Sequence, residues 1–193
     1  MLSLKERIDL LQADLEAQPM RISAYRDLPF AILRYDPHEE WELRRRVRLL
    51  ATRLQDSGKI VETISFADLL WEVIDDAEGV DAVADMERHF GFPAAQEMIT
   101  RWLSSPDYLM LPDALARRMT PLDPQRHVVF LMRAAAMAPA IYHMSKLLAE
   151  MQGRTEVPTI LFYPGTQEGP TGLRFMAQKT HEALGRYHVK IYG

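Results

Sequence analysis

The amino-acid sequence predicts an α/β fold: a mostly parallel sheet of about five strands with helices on both faces. Short apolar runs alternate along the chain with amphipathic segments that have helical spacing. The central runs are apolar on both faces, which is typical of parallel strands buried between helices. A long helical stretch separates the second run from the third. We therefore expect one α/β domain over residues 1–193, with residues 67–126 as a helical insertion within it.

The first part of the chain predicts a helix, a strand and a second helix. Residues 3–18 repeat apolar side chains at helical spacing and begin with a capping-box pattern. The apolar run at 30–33 predicts a buried strand. Asp36 as N-cap and Pro37 in the first turn then begin a helix that Gly58 ends. Its inward-facing stripe consists of Leu43, Val47, Leu50 and Leu54.

The remainder of the chain predicts four more strands with helices between them. The predicted strands are residues 59–66, 127–133, 158–165 and 187–193. The last one alternates apolar and polar residues, which places it nearer an edge of the sheet. The predicted helices are residues 67–79, 81–91, 93–105, 113–119 and 138–153.

Composition and charge exclude several classes of function. The chain has a net charge of −4, a pI near 5.9 and no cysteine. This charge argues against a globally basic nucleic-acid surface, although a local basic patch stays open. Without cysteine there is no disulfide or thiolate metal site, which fits a reducing cytoplasm. The charged start is unlike a signal peptide, and no run approaches the ~20 apolar residues of a membrane span. We therefore expect a cytoplasmic protein outside the membrane.

The stretch "TILFYPGTQEGPTGLRF" at 159–175 runs from a strand into a glycine-rich loop. A phosphate-binding P-loop needs two glycines five residues apart, followed by lysine. Here Gly165 and Gly169 are four apart, no lysine follows, and Glu168 adds negative charge. A tight exit from the strand explains the composition, and we favour that interpretation. Ligands nevertheless gather at the carboxyl ends of parallel strands, so a binding edge remains the alternative. The residues of this candidate partner or ligand edge are Asp36, Arg133, Tyr163, Gly165, Gly169 and Arg174.

The densest run of charge is a group of arginines on the second predicted helix. Arg44, Arg45 and Arg48 form a candidate basic patch for a phosphate backbone or an acidic partner. Helical spacing also places Glu40 and Glu42 within reach of these arginines. A solvated helix face with internal ion pairs is therefore the interpretation that we favour.

No pattern in the sequence predicts catalysis, a metal site or a cofactor. The six histidines lack the paired spacing of a zinc-binding helix, and His181 with Glu182 has no second histidine one turn later. There is no cysteine nucleophile and no G-x-S-x-G motif. The acidic stretch "DPHEE" at 36–40 is explained by a helix cap and an acidic first turn. We therefore expect a protein that is not an enzyme.

Large apolar side chains are expected in the core. We predict that Trp41, Trp71 and Trp102 anchor their helices to it. Four methionines lie within apolar patterns and are expected to fill gaps in the core. They are Met98, Met132, Met144 and Met151.

Five segments together resemble a known family. In chain order they are "PFAILRYDPHEEWELRRRVRLL", "ISFADLLWEVID", "HVVFLMRAAAMAPAIYHMSKLL", "PTILFYPGTQEGPTGLRFM" and "YHVKIYG". They resemble the BrxB family of BREX bacteriophage-exclusion systems over nearly the whole chain. The most distinctive pieces are Y-D-P after the first strand, F-Y-P-G with a later G-L-R-F, and the terminal segment. Family members tend to place glycines after the third strand, where this chain has Arg133 and three alanines.

The resemblance implies membership of a multi-component defence system in which other subunits carry out methylation and ATP hydrolysis. It implies a small non-catalytic adaptor or assembly subunit, with the alkaline-phosphatase-like PglZ subunit as the first partner to name. Nucleic acid would then be reached only through the complex. The alternative is a degenerate nucleotide- or nucleic-acid-binding domain that uses the strand ends at Asp36, Arg133 and Gly165.

Overall fold

A computed structural model describes residues 2–23, 28–139, 141–178 and 184–193. The strands in chain order are β1 (Phe30–Tyr35), β2 (Ile60–Ser65), β3 (His127–Met132), β4 (Thr159–Glu168), β5 (Gly172–Phe175), β6 (Leu184–Arg186) and β7 (Lys190–Tyr192). The helices are α1 (Leu4–Glu16), α2 (Glu40–Asp56), α3 (Phe66–Asp76), α4 (Gly79–Phe90), α5 (Phe92–Ser104), α6 (Leu111–Met119) and α7 (Met144–Met151). Two short 3₁₀ turns lie at Pro37–Glu39 and Ala134–Met137. None of the described helices is long and apolar enough to cross a membrane.

The sheet confirms the predicted fold class. Its main part has the order β2-β3-β4-β1-β7, and all of these strands are parallel. Among the described strands β7 pairs with β1 alone, so it lies at the edge of the sheet, as the alternating pattern predicted. The last four residues of β4 begin an antiparallel extension of the sheet, in which β5 pairs with β4 and β6 pairs with β5. The sequence did not predict β5 and β6.

Helices cover both faces of the sheet, so β1, which lies between β4 and the edge strand β7, buries every side chain. Leu33 and alternate strand residues pack against α1 and α2 on one face. Ile32 and its alternates pack on the other face against the helices between β2 and β3 and against α7. Phe130 and Phe162 meet edge to face on the α1–α2 side, with ring centroids 5.3 Å apart. Each such fully buried side chain stabilises the fold by roughly 1.5–3 kcal/mol.

The predicted start of the chain is confirmed in detail. The Ser3 hydroxyl accepts a hydrogen bond from the Glu6 amide, and the Glu6 carboxylate accepts one from the Ser3 amide, which forms the predicted capping box. Asp36 caps the 3₁₀ turn that leads into α2, and its side chain accepts from the His38 amide at 2.9 Å. The inward stripe of α2 is buried as predicted, at Leu43, Val47, Leu50 and Leu54.

Four helices, α3 to α6, connect β2 to β3 and form the predicted helical insertion. They bury Trp102 and Leu115 against the sheet. All four methionines that were expected in the core are buried, at Met98, Met132, Met144 and Met151.

One predicted helix is too long. The sequence predicted a helix over 138–153, whereas α7 begins at Met144. Residues 138–139 and 141–142 instead form turns and a bend after the 3₁₀ turn, and His143 is the N-cap of α7. Ala140, within the predicted helix, lies outside the described residues.

Candidate functional site

The carboxyl ends of β1, β3 and β4 form a small hollow. The parallel register places Tyr35 of β1 beside Pro164 of β4, and β3 is the neighbour of β4 on the other side. The hollow has a volume of about 290 Å³. Its lining consists of Pro37, Glu40, Arg44, Arg133, Ala135, Ala136, Pro164 and Met176. The topology therefore brings three separate segments to the sheet edge where α/β proteins bind ligands.

Backbone strain is concentrated around this hollow. Arg133 follows β3 with φ 61° and ψ 37°, a left-handed conformation that non-glycine residues rarely adopt. Met176 and Ala177 follow β5 with φ angles of 51° and 55°. These are the positive-φ residues other than glycine in the described part of the chain. Such strain persists only where the surrounding structure imposes it, and it is often found at functional sites.

Glu40 dominates the electrostatics of the hollow. Its carboxylate accepts a hydrogen bond from the buried Tyr35 hydroxyl and another, at 2.7 Å, from Nε of Arg44. Burial, and next the Glu40 carboxylate, raise the pKa of Tyr35 well above its usual range. Because Glu40 neutralises Arg44, the exposed Arg133 is left as the cation of this hollow without an ion pair among the described residues.

The acidic stretch before α2 works as a cap. The Glu39 carboxylate accepts from the Asp36 amide at 3.2 Å and lies 3.4 Å from Nη2 of Arg7. Every acid from 36 to 40 therefore has a structural partner, as the sequence interpretation held. In the described part of the chain, no three histidine, aspartate or glutamate side chains are grouped as metal ligands would be. His181 and Glu182 lie outside that part.

The candidate basic patch on α2 is largely neutralised. Arg45 donates through Nε and Nη2 to the two carboxylate oxygens of Glu42, at 3.0 Å each, and Nε of Arg46 lies 2.6 Å from the same carboxylate. With Arg44 bound to Glu40, exposed Arg48 is the member of the patch that has no ion pair with a described residue. This is the arrangement expected of a solvated helix face with internal ion pairs.

The glycine-rich loop is the turn of a β-hairpin. The strand β4 continues to Glu168, and β5 returns beside it from Gly172. A Cβ atom on Gly165 would lie 2.1 Å from the carbonyl oxygen of Arg174, so the close approach of the two strands requires glycine there. Nε of Arg174 lies 2.5 Å from Glu168, which closes the hairpin with an ion pair. The favoured interpretation, that this loop turns the chain, is supported. A strand also follows the loop, whereas a helix would follow a phosphate-binding loop.

The structure distributes the six residues of the candidate edge unequally. Arg133 lines the hollow, and Asp36 and Gly165 directly adjoin lining residues in the chain. Tyr163 is buried, with ring centroids 5.6 Å from both Phe175 and Tyr187. Burial, and next the neighbouring Tyr187, raise the pKa of Tyr163 far above its usual range. Gly169 and Arg174 belong to the hairpin and not to the lining of the hollow.

Two buried arginines were missed by the sequence interpretation. Arg34 lies in the apolar run of β1, is 5% exposed and has a buried Nε without a hydrogen-bond partner. Its Nη1 lies 3.4 Å from the carbonyl oxygen of Gly165. Arg7 is equally buried and donates to the carbonyl oxygen of Arg34 at 2.5 Å. Burial, and next the charge of Arg34, lower the pKa of Arg7. The arginine in "FAILRY" was the available signal.

The prediction for the tryptophans was wrong for two of the three. Trp102 is fully buried, but Trp41 is 79% exposed and Trp71 is 52% exposed. Trp41 lies beneath Arg44, whose guanidinium carbon is 5.1 Å from the ring centroid. Phe90 and Phe92 are also exposed, at 72% and 61%. For the two tryptophans, their spacing relative to the buried stripes of α2 and α3 was the signal that could have shown this.

Comparison with known proteins identifies one family. A family model described as BREX protein BrxB matches residues 62–188, about two thirds of the chain. The match begins in β2 and runs through the helical insertion and the β-hairpin to the residues before β7. No curated protein and no solved structure matches the chain. The resemblance is confirmed over residues 62–188, which contain the second, third and fourth of the five segments, and the chain belongs to the BrxB family of BREX proteins.

Proposed function

We propose that this BREX phage-defence protein is a non-catalytic adaptor or assembly subunit of its complex. Family membership supports the BREX setting. The observation that carries the adaptor role is a pair of exposed phenylalanines, Phe90 and Phe92, at the junction of α4 and α5. Large aromatic side chains left in solvent are typical of surfaces that another protein covers.

The backbone between the two phenylalanines explains how they are presented. Gly91 has φ 86° and ψ 167°, a conformation that is essentially restricted to glycine. Its amide donates to Glu87 at the end of α4, and its carbonyl oxygen accepts from Ala94 at the start of α5. One residue therefore ends one helix and begins the next, and both flanking rings project from this tip. Covering each ring would contribute roughly 1.5–3 kcal/mol.

The partners follow from the BREX setting. We propose other BREX subunits, with the PglZ-like protein first, as the proteins that cover the Phe90–Phe92 tip. The net charge of −4 favours contact with nucleic acid only through the assembled complex. The absence of cysteine from the sequence favours the cytoplasm as the compartment.

Co-purification tests the proposal. A tagged chain is recovered from cells that carry the whole BREX system, and companion subunits are quantified by mass spectrometry. The double variant Phe90→Ser/Phe92→Ser is expected to recover at least about tenfold less companion, since hot-spot truncations exceed about 2 kcal/mol. Leu10→Ser/Leu49→Ser, at exposed positions of α1 and α2, is the matched control. Recovery of the chain alone in gentle salt would overturn the adaptor role.

A second candidate function is a degenerate nucleotide- or nucleic-acid-binding domain. The hollow at the carboxyl ends of the strands favours it, because Arg133 lines the hollow without an ion pair among the described residues. The carboxylate of Glu40 in the same hollow opposes it. Thermal-shift measurements with nucleotides and short DNA at millimolar concentration test this alternative. A ligand at a hundred times its Kd would stabilise the chain by about 2.7 kcal/mol, and an unchanged Tm would remove the alternative.

A further inference from the structure

We infer that a groove on the helical insertion binds a basic segment of a partner protein. The inference rests on the proposed adaptor function and gives the chemistry of one contact. The groove consists of two adjoining hollows of about 690 and 520 Å³, which share Asp76, Leu109 and Arg117. The helices α3 and α6 form its walls, and residues 107–109 lie where the two hollows meet.

The groove is acidic after its internal ion pairs are counted. Glu72 is bound by Arg118 at 2.7 Å, and Asp113 is bound by Arg154. The remaining lining carboxylates form no ion pair with any described residue. They are Asp68, Asp75, Asp76 and Asp107, and the lining cation without such a pair is Arg117. Four carboxylates without an ion pair, against one such guanidinium, leave a net negative surface that a cationic ligand would complement.

The surrounding sequence extends this charge. Residues 66–90, which cover α3 and α4, contain eight aspartates and glutamates against a single arginine. The whole chain has a net charge of only −4, so its negative charge is concentrated on this part of the insertion. A partner carrying lysine and arginine would be steered toward the groove at long range as well as bound within it.

Trp71 makes the groove more than a charged surface. It lies on the exposed stripe of α3 with Asp68 and Asp75, which are three and four residues away. Its ring is 52% exposed within the lining. An arginine of the ligand can stack on this ring while its neighbours pair with the carboxylates.

The charge distribution decides between possible occupants. Nucleic acid would meet like charge in this groove. In the basic α2 helix of a second copy, Arg44, Arg45 and Arg46 are already bound by Glu40 and Glu42. That helix would bring only Arg48 and Arg53 without an ion pair among the described residues. A basic segment of a different protein fits both the free carboxylates and the exposed indole ring.

Fluorescence anisotropy with a defined probe tests the inference on the full chain. The probe is a short labelled peptide in which lysine–arginine pairs alternate with leucine pairs, and its twin carries glutamate and aspartate instead. The basic peptide is expected to bind and the acidic twin is not. Asp75→Asn/Asp76→Asn is expected to weaken binding about tenfold, and Trp71→Ala several-fold. Binding by wild type should weaken from about 50 to 300 mM NaCl.

Matched variants separate the groove from general electrostatics. Glu16→Gln/Asp56→Asn removes two exposed carboxylates from α1 and α2, and Trp41→Ala removes the other exposed tryptophan. Both controls are expected to bind the basic peptide like wild type. Equal weakening by the groove and control variants would overturn the inference. The inference would also be overturned if wild type sedimented as a dimer and Asp75→Asn/Asp76→Asn as a monomer, because the occupant of the groove would then be a second copy of the chain.

The peptide measurement is independent of co-purification, so the two proposals fail separately. Companion subunits that co-purify with a chain that ignores the basic peptide would overturn the groove assignment and support the adaptor role. Peptide binding by a chain that recovers no companion would support the groove and overturn the adaptor role.

Discussion

Arg133 follows β3 with left-handed φ and ψ angles, which glycine adopts without strain because it has no Cβ atom. We predict that Arg133→Gly raises the free energy of unfolding by about 0.5–1 kcal/mol relative to Arg133→Ala, because alanine keeps the strained conformation and glycine relieves it. Urea denaturation of the two variants measures this difference. Equal stabilities would show that the φ angle of residue 133 stores no strain.

Asp14 links α1 to the edge strand β7 and gives stability a pH dependence. Burial alone would raise the pKa of Asp14, but hydrogen bonds from Lys190 and Tyr192 hold it below its usual value. A carboxylate with a depressed pKa stabilises the fold above its unfolded value of about 3.9, and this contribution is lost as the pH falls through the folded value. We predict that wild type loses about 1 kcal/mol more than Asp14→Asn between about pH 5 and pH 2.

Denaturant titrations across this pH range measure the two slopes. Asp9→Asn is the control, because Asp9 is an exposed carboxylate on the same helix that pairs only locally with Lys5. A control slope that matches that of Asp14→Asn would assign the effect to net charge and contradict the specific role of Asp14.

At the scale of single residues, the sequence predicted ion pairs within one helix more accurately than it predicted which side chains are buried. Glu40 and Glu42 lie within helical reach of the α2 arginines, so those ion pairs follow from spacing alone. Trp41 and Trp71 are as apolar as Trp102, and it is their position off the buried stripes of α2 and α3, not their hydrophobicity, that leaves them exposed. Arg34 is buried because of its place in a central strand, which composition does not show.

At the scale of elements, the β4–β5 hairpin explains why residues 165–172 are rich in glycine. Gly165 faces a carbonyl oxygen that a Cβ atom would approach to 2.1 Å, whereas Gly169 has open space and a φ of 69°. We predict that Gly165→Ala lowers the free energy of unfolding by more than about 2 kcal/mol, because backbone must move. Gly169→Ala should lower it by only about 1 kcal/mol, from left-handed strain. Thermal or urea unfolding of the two variants measures these losses of stability. Equal losses would contradict the argument that the two strands approach closely at Gly165.

The predicted elements fail where tertiary pairing overrides local pattern. β1 to β4 and the helices of the insertion follow from apolar runs, caps and spacing, which act over a few residues. The extension of β4 past Gly165 and the strand β5 depend on pairing across the hairpin, and short segments that contain glycine give no local signal of such pairing. The topology predicted a candidate binding edge at the carboxyl ends of the strands, and this stays a prediction. Met176 and Ala136, which line the hollow there, come from turns that carry no motif.

At the scale of the whole molecule, the helical insertion and the sheet share one core. Phe30 and Leu131 of the sheet belong to the same buried cluster as Trp102 and Leu115 of the insertion. We therefore propose that residues 1–193 fold as one domain, although the insertion adds a separate acidic surface. The order of the strands could not be read from the sequence, because it depends on which buried runs pair and not on their composition.

This shared core predicts a single unfolding transition. The variant Trp41→Phe/Trp71→Phe leaves Trp102 as the sole tryptophan. Because both replaced side chains are exposed, the free energy of unfolding should change by less than about 0.5 kcal/mol per site. Trp102 fluorescence reports the insertion, while far-UV circular dichroism reports all helices and strands. The two signals are expected to change at the same urea concentration, because unfolding the insertion alone would expose the apolar face of the sheet. A fluorescence transition at lower urea would show that the insertion unfolds as a domain of its own.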